Sequence, residues 1–214
     1  MVSGPYSGEI GGGTVISLAL AHRRYHSLCL NGPGPNYAVI GNNANNTITV
    51  AKVRQRVLGL GGSDKITVKS GNNTCVDAGT NNDTVKAGNS PLRVYGGDGN
   101  DKITLGNGKD LAYGDNGNDV IKAGKGNDSL NGNNGNDTIT AGNGKDRLYG
   151  NSGADKLTVG SGRSYEFGAS GNDQLRAKGK KAWVNGGGGH NTAYVRKANA
   201  RYARRHGCRT VHII

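Results

Sequence analysis

The chain has 214 residues, of which 39 are glycine, whereas glycine makes up roughly 7% of an average protein. Hydrophobic residues reach 33% and aromatic residues 5%, so the sequence excludes a conventional enzyme domain with a thick apolar interior. Lysine and arginine number 27 against 15 acidic residues, and the resulting net charge of +12 is typical of proteins that meet an anionic partner.

The first 38 residues are predicted to form a lead or cap ahead of the repeats. Residues 14–21 (TVISLALA) form a short apolar run that ends in an Ala-x-Ala motif, as the end of a secretory signal peptide does. Glu9 is the only charged residue before this run, so the cationic start of a signal peptide is missing. The sequence leaves open whether residues 14–21 end a signal peptide. No segment approaches the ~18 apolar residues of a membrane helix, so we predict no membrane span.

A strict period dominates the middle of the chain. Aliphatic residues stand two positions after most of the repeated aspartates, and glycines and asparagines precede them, so each unit predicts a turn, an aspartate and a short strand. The register continues to Asp83 and Asp173 and, after a shift of one residue, to Asp64. The aspartates that follow each other at intervals of nine residues are Asp101, Asp110, Asp119, Asp128, Asp137, Asp146 and Asp155.

The units alternate between two kinds, so the full period is eighteen residues. In one kind a second inward residue such as Ala141 follows, and in the other a glycine such as Gly150 replaces it. Each coil then holds two short parallel strands, each about 4.8 Å from its equivalent in the preceding coil. The sequence predicts an all-β, right-handed parallel β-roll (a β-helix solenoid) over residues 39–195. Residues 196–214 are predicted to be a basic C-terminal cap, irregular or with a short helix and a last strand.

The unit at residues 96–104, GGDGNDKIT, resembles the repeat G-G-x-G-x-D-x-U-x of the RTX (hemolysin-type) calcium-binding nonapeptide family. The resemblance covers residues 81–192 well and residues 39–80 in decayed form. It implies a parallel β-roll filled with calcium, and export from the cell. The segments around Cys29 and Cys208 also resemble the ends of actinobacterial secreted proteins with RTX-type repeats.

Electrostatics also favours calcium. Carboxylates stacked ~5 Å apart in neighbouring coils repel by roughly 3 kcal/mol per pair at an effective dielectric constant of 20, so a cation between them is needed. Ca²⁺ suits this position because it accepts six to eight oxygen ligands, which glycine-rich turns can supply as carbonyls. We expect several calcium ions, in about six well-formed intervals. The predicted metal-binding carboxylates are Asp101, Asp119, Asp137, Asp155 and Asp173 in a first column and Asp110, Asp128 and Asp146 in a second, with carbonyls near Gly96, Gly99, Gly106, Gly108, Gly114, Gly117, Gly124, Gly126, Gly132, Gly135, Gly150 and Gly153.

Two observations keep an alternative open, in which the aspartates only accept hydrogen bonds at turns. Lys109, Lys145 and Arg163 each precede a repeat position of the second column and would neutralise carboxylates there without metal. Ser164 and Ala182 then interrupt that column, so the alternative applies to it more than to the first.

The two outer faces of the predicted roll differ. One carries threonines in a ladder, as an ice-binding surface does, but lysine interrupts nearly every rank. The other is expected to be a docking face for an anionic polysaccharide, a cell surface or a second copy of the chain, unless its rings only stack for stability. The residues of this docking face are Arg93, Tyr95, Tyr113, Arg147, Tyr149, Tyr165, Phe167 and Trp183.

No catalytic constellation emerges from the sequence. The five histidines lie outside the regular coils, and Glu166 occupies an inward position that is aliphatic elsewhere. Cys29 and Cys208 either pair or remain isolated buried thiols, and the role of Cys75 is open. We predict a non-enzymatic, extracellular calcium-binding β-roll that acts as an adhesive or surface-associated module. The alternatives are ice binding and polyanion binding, and nucleic acid is not favoured because no stacking aromatics accompany the basic end.

Overall fold

The computed structural model describes residues 38–51, 56–70, 74–179 and 181–214. Residues 1–37 of the predicted lead, including the apolar run at residues 14–21, lie outside the described residues. The strands are β1 (Ala38–Ile40), β2 (Thr47–Val50), β3 (Arg56–Leu58), β4 (Lys65–Val68), β5 (Thr74–Thr80), β6 (Thr84–Ala87), β7 (Leu92–Asp98), β8 (Lys102–Thr104), β9 (Leu111–Asn116), β10 (Val120–Lys122), β11 (Ser129–Asn134), β12 (Thr138–Thr140), β13 (Arg147–Ser152), β14 (Lys156–Val159), β15 (Tyr165–Ser170), β16 (Gln174–Ala177), β17 (Trp183–Asn185), β18 (Asn191–Val195) and β19 (Cys208–Ile213), and the helix α1 spans Lys197–Arg205.

Two parallel sheets form the molecule. The odd-numbered strands from β1 to β17 make a nine-stranded sheet, which we call sheet A. The even-numbered strands from β2 to β18, with β19 added at the end, make a ten-stranded sheet, sheet B. Partners in neighbouring strands are eighteen residues apart, as Val120 and Thr138 are. The predicted all-β parallel solenoid with eighteen residues per coil is therefore confirmed.

One coil is longer than the others. Lys65 pairs with Thr84, and Arg56 pairs with Cys75, so both steps span nineteen residues. The extra residue falls between Val68 and Cys75, because the steps before and after this segment return to eighteen. The single shift of register that the spacing of Asp64 predicts is thus present.

Each sheet contributes a single layer of inward side chains to the interior. Ile121 and Ile139 on sheet B and Leu130 and Leu148 on sheet A are fully buried and stack on their equivalents in the next coil. Strand side chains alternate in direction, so one or two inward residues per strand suffice to fill the narrow space. Removing this aliphatic surface from water is the main apolar contribution to folding.

A helix and a strand close the C-terminal end. Helix α1 begins at Lys197, directly after β18 has continued sheet B through Val195, and it lies within the predicted cap at residues 196–214. Ala203 of the helix is buried, and β19 pairs with β18 after a register shift beside Asn191. The cap therefore covers the last coil, whose edge would otherwise present unpaired backbone groups.

The structure decides between the two alternatives that the sequence left open for Cys208. Cys75 is disulfide-bonded, and Cys208 is a buried free thiol. A bond between Cys29 and Cys208 is therefore wrong, whereas an isolated buried thiol at Cys208 is confirmed. Cys208 follows the last coil on the inward side of β19, where burial raises the pKa of its thiol to about 11.

Glu166 is a polar defect in the apolar interior. It lies in register between Leu148 and Val184, and it is fully buried. Burial raises the pKa of Glu166 well above its usual range, and the backbone N–H of Arg176 opposes this rise only in part. No other hydrogen-bond partner among the described residues reaches the two carboxyl oxygens. An unsatisfied buried carboxyl group costs free energy that an aliphatic side chain at the same position avoids.

We expect Glu166→Leu to raise the free energy of unfolding by roughly 1–3 kcal/mol at neutral pH, because it removes an unsatisfied buried group. Urea denaturation measures the change. The matched control Leu148→Glu places the same carboxyl one coil earlier and should lower stability. A less stable Glu166→Leu protein would show that this carboxyl group has a favourable partner.

Candidate metal centre

The first column of aspartates forms a continuous hydrogen-bonded ladder at one bend of the roll. Each carboxylate uses Oδ1 to accept the backbone N–H of the repeat residue one coil earlier. Asp101 N–H donates to Asp119 at 2.7 Å, and Asp119 N–H donates to Asp137 at 2.8 Å. The ladder runs from Asn46 to Asn191, so it extends beyond the five predicted aspartates and includes Asp64 and Asp83.

The second oxygen of these carboxylates, Oδ2, takes no part in the hydrogen-bonded ladder. Each Oδ2 in the first column is buried and has no hydrogen-bond partner. Simple turn capping accounts for one oxygen of each carboxylate, and it leaves the other without compensation for the lost water. The residues whose Oδ2 is in this state are Asp64, Asp83, Asp101, Asp119, Asp137, Asp155 and Asp173.

A glycine five residues before each of these carboxylates makes room for this oxygen, except at Asp83, where Ala78 takes the place of the glycine. A Cβ added to Gly114 would collide with Oδ2 of Asp119 and would lie 2.8 Å from the carbonyl oxygen of Gly132. At Gly96 the same construction meets Oδ2 of Asp101 and, at 2.6 Å, the carbonyl of Gly114. The carboxylate and a carbonyl of the following coil therefore converge on one small space. These are hard oxygen donors of the kind that Ca²⁺ prefers.

The second column has the same plan with weaker contacts. The N–H groups of Leu92, Asp110 and Asp128 donate to Oδ1 of the next aspartate at 3.0–3.1 Å. Oδ2 of Asp110 and of Asp128 is buried without a partner. Ser164 continues the column, and its hydroxyl oxygen is likewise buried without a partner. The column thus stops being acidic after Asp146, as predicted.

Burial makes these carboxylates hard to ionise. It raises the pKa of Asp101, Asp128 and Asp137 to about 7, and neighbouring carboxylates add to the effect although the accepted N–H opposes it. Burial likewise raises the pKa of Asp83 to about 8. The pKa of Asp119 rises to about 6 for the same reason. A bound cation would favour the charged form and reverse these shifts.

A metal ion here depends on the backbone as well as on side chains. Among the described residues, no three His, Cys, Asp or Glu side chains lie close enough together to hold a metal ion. An ion between two coils would have the two stacked carboxylates and would complete its coordination with carbonyls and water. Some carbonyls already accept hydrogen bonds, since those of Gly106 and Gly124 receive the N–H of the glycine in the next coil.

Asparagine ladders lie beside the columns, and they were not predicted from the sequence. The N–H of Asn118 donates to Oδ1 of Asn100 at 2.6 Å, and the N–H of Asn136 donates to Oδ1 of Asn118 at 2.7 Å. At the other bend, Lys145 N–H donates to Asn127 in the same way. The recurrence of asparagine just before the repeat position is the signal that would have found them.

The predicted docking face lies on sheet A. Tyr149 stacks on Phe167 with ring centroids 5.3 Å apart, and the guanidinium of Arg147 lies 5.5 Å from the Tyr165 ring centroid. Trp183 is 45% exposed. The face differs from expectation at one residue, because Tyr95 is only 3% exposed and is stacked on Tyr113. Tyr95 therefore cannot offer its ring to a partner, whereas Arg93 is exposed and the role of the others stays a prediction.

Comparison with known families agrees with this geometry. Residues 77–165 match the RTX calcium-binding nonapeptide repeat in four overlapping copies, at 77–112, 95–130, 113–148 and 131–165. These residues are RTX repeats. This match confirms the family resemblance of residues 96–104. Because RTX nonapeptide repeats bind calcium, calcium is the metal that the columns imply. Neither a search of curated proteins nor a search of solved structures found a significant match to the chain.

The part of the chain that the structure describes contains no helix that is long and apolar enough to cross a membrane.

The stability of the metal-free roll should fall as pH rises from about 4 to about 8. The unfolded chain releases the aspartate protons near the ordinary pKa of 3.8, whereas the folded chain keeps them until a pKa of about 6 to 8. The folded state therefore binds more protons throughout this window and loses stability as they leave. Thermal melts in a chelator across the window test this, and a melting temperature that is flat or rises would contradict it.

Asp119→Asn should separate the roles of the two oxygens of the Asp119 carboxylate. The amide oxygen can still accept the N–H of Asp101, and the NH₂ group can face the carbonyl of Gly132, so no buried charge remains. We expect the variant to be more stable than the parent in chelator at alkaline pH, by roughly 1 kcal/mol, and to gain less stability from calcium. Melting with and without calcium measures both effects.

The control for this variant is Asp98→Asn. Asp98 is exposed and accepts a hydrogen bond from Asn116 at 2.7 Å, so the same chemical change occurs outside the column. Its effect on both quantities should be much smaller, because Asp98 acts on the column only through a minor electrostatic contribution to the pKa of Asp101. An equal loss of the calcium response in both variants would mean that only overall charge matters.

Proposed function

We propose that the protein is an extracellular, non-enzymatic module whose β-roll is stabilised by calcium ions held between successive coils. The observation that supports this most strongly is the row of buried Oδ2 atoms without partners in the first column. The ions would be held by stacked pairs of carboxylates, with the first column contributing Asp101, Asp119, Asp137, Asp155 and Asp173 and the second contributing Asp110, Asp128 and Asp146.

Calcium would supply charge compensation and cross-links between coils. Each ion would neutralise two carboxylates that burial otherwise keeps protonated, and it would tie two coils together at the bend. Because such sites exist only when consecutive coils are stacked, binding free energy becomes folding free energy.

An extracellular location fits calcium of this kind. Extracellular calcium modules commonly work at millimolar concentrations, far above those of resting cytosol. The disulfide at Cys75 is also typical of an oxidising compartment. Both observations favour export, and neither specifies its route.

The proposed role is structural and adhesive rather than catalytic. Among the described residues, the histidines lie at the C-terminal end of the roll, and no nucleophile is hydrogen-bonded to a histidine there. The threonine ladder of sheet B is present in the folded chain, but lysines interrupt it, so we do not propose ice binding.

A calcium titration tests the proposal. Strand circular dichroism and the melting temperature should increase together as calcium is added to chelator-treated protein at neutral pH, and magnesium at the same concentration should have much less effect. Magnesium is the matched control, because it carries the same charge but takes fewer ligands in a more rigid geometry. A melting temperature that is the same in calcium and in chelator would exclude the proposed function.

A further inference from the structure

Sheet B presents a row of cations to solvent. From β4 to β16, every strand of this sheet except β12 carries one outward lysine or arginine, and each of these side chains is exposed. The strand β12 carries Thr138 and Thr140 instead. We call this surface the lysine face, and it consists of Lys65, Lys86, Lys102, Lys122, Lys156 and Arg176.

The cations alternate between two columns. Lys65, Lys102 and Lys156 belong to one outward column, as the pairing of neighbouring strands shows. Lys86, Lys122 and Arg176 belong to the other. Cations of successive coils therefore stand on opposite sides of the sheet axis. They make a zigzag that advances one strand spacing, about 4.8 Å, per coil and is interrupted once, at β12.

No acidic side chain shares the lysine face. The remaining outward residues of sheet B from β4 to β16 are threonine, valine and glutamine, such as Thr104, Val120 and Gln174. The aspartates of the columns lie at the bends, with their oxygens turned inward. The face thus has an uncompensated positive potential along its length, which attracts anions of matching shape.

We propose that the lysine face binds a linear anionic polysaccharide that lies along the axis of the roll, with about one acidic group per sugar residue. A sugar residue in an extended chain is similar in length to the strand spacing, so successive acidic groups can meet successive cations. A chain whose residues alternate in orientation would match the zigzag.

The rest of the face also favours a polysaccharide over nucleic acid. Threonine hydroxyls such as those of Thr104 and Thr158 lie between the cations and can donate to or accept from sugar hydroxyls. Single-stranded nucleic acid is usually bound through aromatic side chains that stack on bases. Within the described strands of sheet B from β4 to β18, the one aromatic ring beside these cations is Tyr194, at the end of the row, where Arg176 lies 5.9 Å from its centroid.

A charge-matched pair of variants tests the assignment on the full chain. The face variant combines Lys86→Gln, Lys102→Gln and Lys122→Gln, which removes one cation from each of three successive coils. The control variant combines Lys125→Gln, Lys181→Gln and Lys197→Gln, which removes three exposed lysines outside sheet B. Binding to oligogalacturonates of increasing length is measured at constant calcium, with circular dichroism of the same samples to verify folding.

The face variant should lose about tenfold or more in affinity, and its affinity should depend less steeply on salt, whereas the control variant should stay close to the parent. Affinity of the parent should increase with oligomer length until the chain spans the row. Equal losses in both variants, or no binding by the folded parent, would overturn the proposal. Tighter binding of single-stranded DNA, lost in the face variant, would replace the polysaccharide with nucleic acid.

This inference needs a folded roll but goes beyond the proposed calcium function, and the two can fail separately. A roll that folds without calcium and still loses oligogalacturonate affinity only in the face variant would contradict the proposed function alone. A calcium-dependent roll with unchanged affinity in both variants would contradict the lysine face alone.

Discussion

The stacking of buried carboxylates at the bends is the constraint on which the rest of the structure depends. Eighteen residues per coil place each aspartate of the first column directly beside its equivalent, close enough for Oδ1 of Asp137 to accept the N–H of Asp119. The same closeness buries Oδ2 and raises the pKa of Asp137 to about 7. Without metal, the column is more stable when its carboxyl groups are protonated than when they are ionised. A cation such as calcium between two coils would compensate this charge.

Other contacts between coils do not need an ion. The aliphatic interior and the asparagine ladders join the same coils as the aspartates do, and the two kinds of ladder run in opposite directions. Asp119 accepts a hydrogen bond from the coil before it, whereas Asn118 accepts one from the coil after it. These contacts hold the backbone near the metal-binding arrangement, so the ion adds charge compensation to a largely prepared geometry.

Periodicity explains how much could be predicted. Strand positions, inward residues such as Ile121 and the single lengthened coil all follow from one repeat, because side-chain direction in a strand alternates with a fixed period. Features that break or cross the repeat could not be predicted in this way. Contacts that a period does not encode determine three such features: the burial of Tyr95, the disulfide of Cys75, and the fact that Oδ1 of the carboxylates accepts a hydrogen bond whereas Oδ2 has no partner.

The sheet register also separates charge between the inside and the outside of the roll. Acidic groups collect at the bends with their oxygens inward, and cations such as Lys102 and Lys122 collect on an exposed sheet. Calcium bound at the bends would neutralise the negative charge of the aspartate columns and leave the chain more positive than its formal +12. An anionic polymer on the lysine face and calcium at the bends would then favour each other electrostatically, and this coupling must act equally in both directions. A roll of this kind would hold its partner most firmly where calcium is plentiful.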